Sequence, residues 1–475
     1  VRYNYASKQI YSCKFYSKGR SKIIPKNNEA YMTTLEKEQK TSLRPIHTTG
    51  LGLHTKALHA GFNPDSITGA CALPIYQTNA YLFPSADIAA DRFALKDPGN
   101  IYTRMGNPTT AVLEERINAI EGGVGAVAFS SGMAAITAAI LTFTRPGDEI
   151  ISANTLYGGT YELFHYTLSK CGRTTVFVDT NNPAAFKHAI NERTKAIYVE
   201  SIGNPSLDVP DFVSLSEIAH QAGIPLIVDN TVGIGLVAPI QFGADIVVHS
   251  ATKYIGGHGN SMGGIIVDAG TAPWTNGKFP EICDPDPGYH GLVYPTEFGN
   301  AAYIVKARVH ILRDMGACIA PFNSFMIATG CETLPLRMEK HCSNALAVAR
   351  FLEGHPAIES VSYPGLSSHP SHEMAKKYLG TAGVSGFGGI VGVRLHGGYD
   401  ACKQLVEGTR IFCHLTNIGD AKSLVVHPAS TTHQKLPSKE RSDCGVFDNF
   451  VRISVGIEDA NDLIKDLSQA LEKIR

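Results

Sequence analysis

The sequence predicts a wound, mostly parallel α/β sheet, preceded by an extended arm and followed by a smaller α+β domain. Three observations carry this. Between about residues 104 and 270, apolar runs of strand length alternate with helix-length stretches, the rhythm of a parallel sheet with helical crossovers. Small polar clusters close those runs, as in SSG, VDN and HSATK, and wound sheets gather their binding groups at strand ends. From about residue 300 helical patterns dominate, with two later strand-like runs, GGIVGVRL and FVRISVG. The chain thus divides into a disordered extension (1–42), an arm against a neighbouring subunit (43–103), a sheet domain (104–300) and a C-terminal domain (301–475).

Composition narrows the function. The 475 residues balance 42 Lys and Arg against 43 Asp and Glu, a formal charge of −1, without the basic bias of a nucleic-acid binder. No run of 18 apolar residues offers a membrane span. Small molecules are the expected partners. Ten cysteines without a C-x-x-C pair fit reduced thiols better than a disulfide framework, so the expected location is cytoplasmic. Residues 1–31 hold seven Lys or Arg and one acid, Glu29, ahead of Met32. They read as an appendage outside the fold, with organelle targeting the lesser alternative.

The arm, LHAGFNPDSITGACALPIYQTNAYLF, is rich in turn formers and is expected to lie on another part of the protein or on a neighbouring subunit. Tyr102 and Arg104 follow on a loop; a guanidinium fork suits phosphate, and a plain surface charge reads equally well there. Asn107-Pro108 then opens a helix, with Thr109 or Thr110 expected as its cap and Glu114 and Glu115 in its first turn. Next come a strand, Val124 to Phe129, the turn Ser130-Ser131-Gly132 and an Ala-rich helix from Met133. That order aims free backbone N–H groups at an anion, with Gly132 allowing close approach and Met133 giving an amide; a simple βα turn reads equally well there. The GGVG at 122–125 precedes its strand, so it is not a dinucleotide fingerprint.

A strand through Ile150 and Ile151 leads to Tyr157, whose ring suits stacking on a planar ligand or anchoring its loop. Asn204 follows a strand that ends near Glu200. LIVD ends in Asp229, and a carboxylate there is costly unless paired; a helix cap or a protonated pyridine nitrogen would each pair it. DIVVHSATK ends in Lys253. Burial lowers a lysine pKa and makes it a nucleophile toward carbonyls, while Ser250 and Thr252 place hydroxyls beside it. Taken alone, the stretch reads more readily as a strand end with a solvated lysine. GGHGNSMGG, 256–264, is expected to be a flexible loop and 271–300 irregular, and an amphipathic helix closes the chain. His427 and His433 fit no zinc spacing, so no metal is expected.

YTRMGNPT, SSGMAA, LYGGTY, VDN and SATKYIGGH, in this order, resemble the Cys/Met-metabolism enzymes that depend on pyridoxal 5′-phosphate. The resemblance runs from about residue 53 to 475 and implies the fold type I architecture of pyridoxal-phosphate transferases. It implies a Schiff base between the cofactor and Lys253, which also shuttles protons. Asp229 would face the pyridine nitrogen and Tyr157 would stack on the ring. Gly132, Met133, Ser250 and Thr252 would cup the phosphate. Tyr102 and Arg104 would reach the phosphate of a neighbouring subunit, giving a homotetramer of active-site-sharing dimers. Asn204, Arg452 and Asn417 would bind substrate.

NIGDAKSLVVHPASTTH and the segment with PDPGYHG are most similar to the members that use O-acetylhomoserine. The implied reaction joins O-acetyl-L-homoserine and sulfide to give L-homocysteine and acetate. Gly159 stands where γ-lyases carry cysteine. Asn417-Ile418-Gly419, with Lys422, stands where cystathionine enzymes carry Ser-Leu-Gly and a glutamate; a lysine there suits a small anion such as hydrosulfide. A cystathionine γ-synthase or γ-lyase is the alternative enzyme. A non-catalytic cofactor binder is disfavoured by the intact lysine, aspartate and arginine set.

Overall fold

A computed structural model describes residues 47–65, 68–435 and 437–474. The extension expected over 1–42 lies outside the described residues. Seven strands form the larger sheet: β1 (Gly125–Phe129), β2 (Glu149–Ala153), β3 (Thr174–Val178), β4 (Thr194–Glu200), β5 (Leu226–Asp229), β6 (Ile246–Ser250) and β7 (Gly264–Asp268). Their order is β1-β7-β6-β5-β4-β2-β3. Only β7 runs antiparallel, to both β1 and β6; the other pairings are parallel. β4 and β5 are buried along their whole length, and β6 from Ile246 to His249. Helices cover both faces, which is why these strands read as continuous apolar runs. The same topology brings the C-terminal ends of β1, β2, β4, β5 and β6 to one edge.

The smaller sheet holds β8 (Ile358–Ser362), β9 (Ile390–Leu395), β10 (Cys413–His414), β11 (Leu424–Val426) and β12 (Phe450–Ser454), in the order β10-β11-β12-β9-β8. All neighbours are antiparallel except β10 and β11. The closing helix Ala460–Leu471 lays Leu463 and Leu467 into this sheet's core. Packing changes partner inside helix Leu334–Glu353 rather than at residue 301. Leu334 and Met338 belong to the larger core with Ala302, Tyr303 and Ile304, while Val348 and Leu352 belong to the smaller. The helical pattern begins near 300, but its first apolar faces are buried by the larger sheet.

The structure corrects several local expectations. The arm contains helices Leu53–His59 and Ala86–Phe93 despite its lack of regular periodicity, and part of it lies on another part of its own chain, one of its two expected placements. Asn107 Nδ2 donates to the Tyr76 carbonyl at 2.8 Å, and Thr109 Oγ1 donates to that of Pro74 at 2.8 Å. Asn107 caps helix Pro108–Glu121, accepting from the Thr109 N–H at 2.9 Å, because Pro108 takes the first helical position. Glu114 is therefore beyond the first turn. It is buried, pairs with Arg308 at 2.7 Å and accepts from the Ala128 N–H at 2.8 Å, joining this helix to β1. The 256–264 stretch is held rather than loose: Gly257 N–H donates to the Lys253 carbonyl at 2.8 Å, and Gly264 already begins β7. Residues 271–300 include helices Pro280–Cys283 and Tyr294–Phe298.

Candidate active site

A cavity of about 260 Å³ opens at the shared edge of the parallel strands and is closed from the other side by residues 416–418 and by Arg452 of β12. Helix Gly132–Leu141 points its N-terminus into it. Ser131 caps this helix, its Oγ accepting from the Ala134 N–H at 3.1 Å. The N–H groups of Gly132 and Met133 have no intrahelical acceptor, as at any helix start. A β-carbon on Gly132 would lie 2.6 Å from Ser250 Cβ. Glycine is what lets the helix start and the end of β6 converge. The Ser250 N–H donates to Thr231 Oγ1 at 2.8 Å, whereas Thr252 Oγ1 accepts from the Gly263 N–H at 3.0 Å and donates to its carbonyl at 3.2 Å. The Thr252 hydroxyl therefore fastens the loop after β6 even as the residue lines the cavity.

Lys253 Nζ donates to Asn417 Oδ1 at 2.5 Å. Burial, with the positive charge of Arg452, lowers its pKa to about 8, so a substantial fraction is neutral near physiological pH. Asp229 is buried at the end of β5. Its oxygens accept from the Thr231 N–H at 2.9 Å and the Tyr198 hydroxyl at 3.3 Å, both neutral donors. Burial holds its pKa above the usual carboxylate range. Beside it in register, Glu200 ends β4. The Glu200 carboxylate accepts from the Tyr157 N–H at 2.6 Å and the Asn204 N–H at 3.1 Å. Burial, and then the charge of Asp229, push its pKa well above the usual range.

Arg452 forms the opposite wall. Its Nη1 donates to Asn204 Oδ1 at 3.2 Å and its Nη2 to the Asn417 carbonyl at 3.2 Å, while Nε is buried without a partner. Burial lowers its pKa to about 10, which leaves it cationic at neutral pH. A buried cation with an unspent donor suits a carboxylate ligand. A helix start bearing free amides, a buried amine and a buried carboxylate with neutral partners all face this one cavity. That donor set fits a phosphorylated aldehyde with a basic ring nitrogen, and so fits pyridoxal 5′-phosphate.

Ten of the residues singled out in the sequence line this cavity: Gly132, Met133, Tyr157, Asn204, Asp229, Ser250, Thr252, Lys253, Asn417 and Arg452. Tyr157 is 44% exposed and lines the cavity. Asn417, expected to hold substrate, lines the cavity and also accepts from Lys253. Tyr102 and Arg104 are elsewhere. They line a recess of about 470 Å³ with Cys318 and Ile319; the guanidinium sits 5.2 Å from the Tyr102 ring, and Arg104 Nε is buried without a partner. Lys422 is exposed and outside the cavity wall. Both His427 nitrogens are engaged, with Ser430 Oγ at 2.8 Å and the Asp448 carbonyl at 2.9 Å. Among the described residues no group of three or more His, Cys, Asp or Glu could hold a metal.

Glu200, Tyr198 and Thr231 escaped the sequence reading as site residues. The signal for Glu200 was present: KAIYVE ends in a carboxylate just as LIVD does. Tyr198 is two residues earlier, on the same face of β4 as Glu200.

Comparison with known proteins adds to this geometry. A family model described as Cys/Met metabolism PLP-dependent enzyme matches residues 54–472. The chain is 50% identical over 429 residues to an O-acetyl-L-homoserine sulfhydrylase of Leptospira meyeri, covering 88% of this chain and 96% of that one. It is 49% identical over 422 residues to a homocysteine synthase of Schizosaccharomyces pombe, covering 88% and 97%. Among solved structures it resembles a putative O-acetylhomoserine (thiol)-lyase of Campylobacter jejuni that carries N′-pyridoxyl-lysine-5′-monophosphate. The TM-score is 0.84 at 37% identity, over 89% of this chain and all of that one.

Proposed function

The chain belongs to the Cys/Met metabolism PLP-dependent enzymes, and from that membership we infer a transferase that converts O-acetyl-L-homoserine and sulfide to L-homocysteine and acetate. Pyridoxal 5′-phosphate is its cofactor, and when bound it supplies an electron-poor ring that stabilises negative charge on substrate carbons. The observation that carries the reading for this chain is the meeting of Lys253, Asp229 and Arg452 in one cavity with a free helix N-terminus.

Each residue then has a task. Lys253 would hold the cofactor through its aldehyde, and its amine would accept and return protons at the substrate Cα and Cβ. Its pKa of about 8 suits both directions near neutral pH. Asn417 holds the free amine at 2.5 Å and so fixes where the proton is exchanged. Asp229, as an anion, would keep the ring nitrogen protonated, while the Gly132 and Met133 amides and the Ser250 hydroxyl would hold the phosphate. Arg452 Nε and the Asn204 side chain orient the substrate α-carboxylate. Lys422, exposed and off the cavity wall, is not needed to recruit sulfide; a small anion reaches the site through the cavity mouth.

The separation of Tyr102 and Arg104 from their own cavity, with Arg104 Nε unspent, supports an active site completed by a second subunit. A tetramer of such dimers and a cytoplasmic location belong to the same proposal. Among the described residues no helix is long and apolar enough to cross a membrane.

The test is product analysis with O-acetyl-, O-succinyl- and O-phosphohomoserine, each offered sulfide and cysteine. Homocysteine from the acetyl ester and sulfide as the fastest combination is the expected result. Rates with cysteine far above those with sulfide would replace this reading with a cystathionine γ-synthase.

A further inference from the structure

Glu200 lines the cavity yet takes no part in the proton transfers or in holding the cofactor phosphate. Its two oxygens reach two different loops. One accepts from the backbone of Tyr157, which follows β2, at 2.6 Å; the other accepts from the backbone of Asn204, which follows β4, at 3.1 Å. Tyr157 carries the ring that would lie on the cofactor, and Asn204 carries the amide that meets Arg452 at 3.2 Å. The site of the planar ring and the site of the substrate carboxylate are thus joined through one side chain.

We propose that Glu200 is a positioning residue that fixes the spacing between Tyr157 and Asn204, and with it the tilt of the stacked ring and the reach to the substrate carboxylate. Three features support this. The carboxylate is buried, so its hydrogen bonds are made in a medium where losing an acceptor leaves a donor unsatisfied. Its register neighbour is Asp229, the group facing the ring nitrogen, so any shift of Glu200 is felt at both ends of the ring. Its own pKa is pushed up by burial and by Asp229, a strain that positive charge on the ring nitrogen would relieve. Glutamine in its place keeps the volume but presents an NH₂ to one of the two amides.

This inference rests on the sulfhydrylase reading. The closing experiment compares wild-type and Glu200→Gln holoenzyme in the same homocysteine assay, with amide hydrogen exchange of the same samples. The expected result is a roughly tenfold rise in KM for O-acetylhomoserine, an unchanged KM for sulfide, faster exchange at the Tyr157 and Asn204 amides, and an altered visible circular dichroism band of the bound cofactor. In an Asn204→Ala background the KM effect of Glu200→Gln should largely vanish, because both act through one residue. Glu200→Asp, too short to reach both amides, should shift the same readouts and serves if the glutamine variant does not fold. Wild-type KM with unchanged exchange at both amides overturns the proposal, as does loss of thermal stability alone with KM and dichroism intact. If wild-type enzyme itself makes no homocysteine, the reaction assignment is what fails; the exchange and dichroism readouts still decide the role of Glu200.

Discussion

Lys253 and Asn417, 164 residues apart, meet at 2.5 Å from Nζ to Oδ1. The lysine follows the larger sheet's β6 and the asparagine belongs to a loop between β10 and β11 of the smaller one. The amine proposed to hold the cofactor is therefore placed jointly by both halves of the chain.

The first prediction concerns that contact. Attachment of the cofactor aldehyde needs a neutral amine, so the rate of reloading cofactor-free protein should rise with pH through about 8. Asn417→Asp sets an anion against the ammonium and should move that midpoint upward. Asn417→Ala should lower kcat by roughly tenfold or more, the cost of a charge-assisted hydrogen bond. Stopped-flow reloading and steady-state rates check both.

Gly132 should not tolerate a side chain. The added β-carbon of Gly132→Ala meets Ser250 Cβ at 2.6 Å, and such overpacking costs about 1–3 kcal/mol. A lowered Tm and weaker cofactor retention on dialysis are expected together, because the same displacement opens the phosphate cup.

Asp229 and Glu200 make the cofactor-free protein sensitive to pH. Both carboxyls have raised pKa values when folded, so over the range above the unfolded value of about 4 the folded state binds more protons than the unfolded one. Stability from these groups is fully present below that value and is lost as pH rises through the folded pKa values. Asp229→Asn should flatten this decline in denaturant melts of cofactor-free protein. The same variant should reduce kcat of the loaded enzyme by roughly a hundredfold or more, as expected when a preorganised charge is removed.

Arg452→Lys should keep a cation yet lose the planar fork that spans Asn204 and Asn417 at 3.2 Å each. KM for O-acetylhomoserine should rise by roughly tenfold or more while KM for sulfide stays unchanged; equal effects on both would place the arginine elsewhere in the reaction.

Most of the site was legible because its residues stand at strand ends. Apolar runs betray strands, and the residues after each run on a parallel sheet must gather at one edge, so Gly132, Tyr157, Asn204, Asp229 and Lys253 converge as expected. Two kinds of fact were hidden. One is choice between neighbours: Asn107 rather than Thr109 or Thr110 caps its helix, because Pro108 takes the first helical position. The other is long-range pairing, which periodicity does not encode. Nothing near Asn417 in sequence announces Lys253, and the carboxylate that ends KAIYVE does not tell which two loops bring their amides to Glu200.

The most direct test of the account is borohydride reduction of the holoenzyme, followed by peptide mass spectrometry. A pyridoxyl phosphate adduct confined to the peptide containing Lys253, and absent from Lys253→Ala together with nearly all turnover, is the predicted result. An adduct on another lysine, or an alanine variant that still turns over, would contradict it.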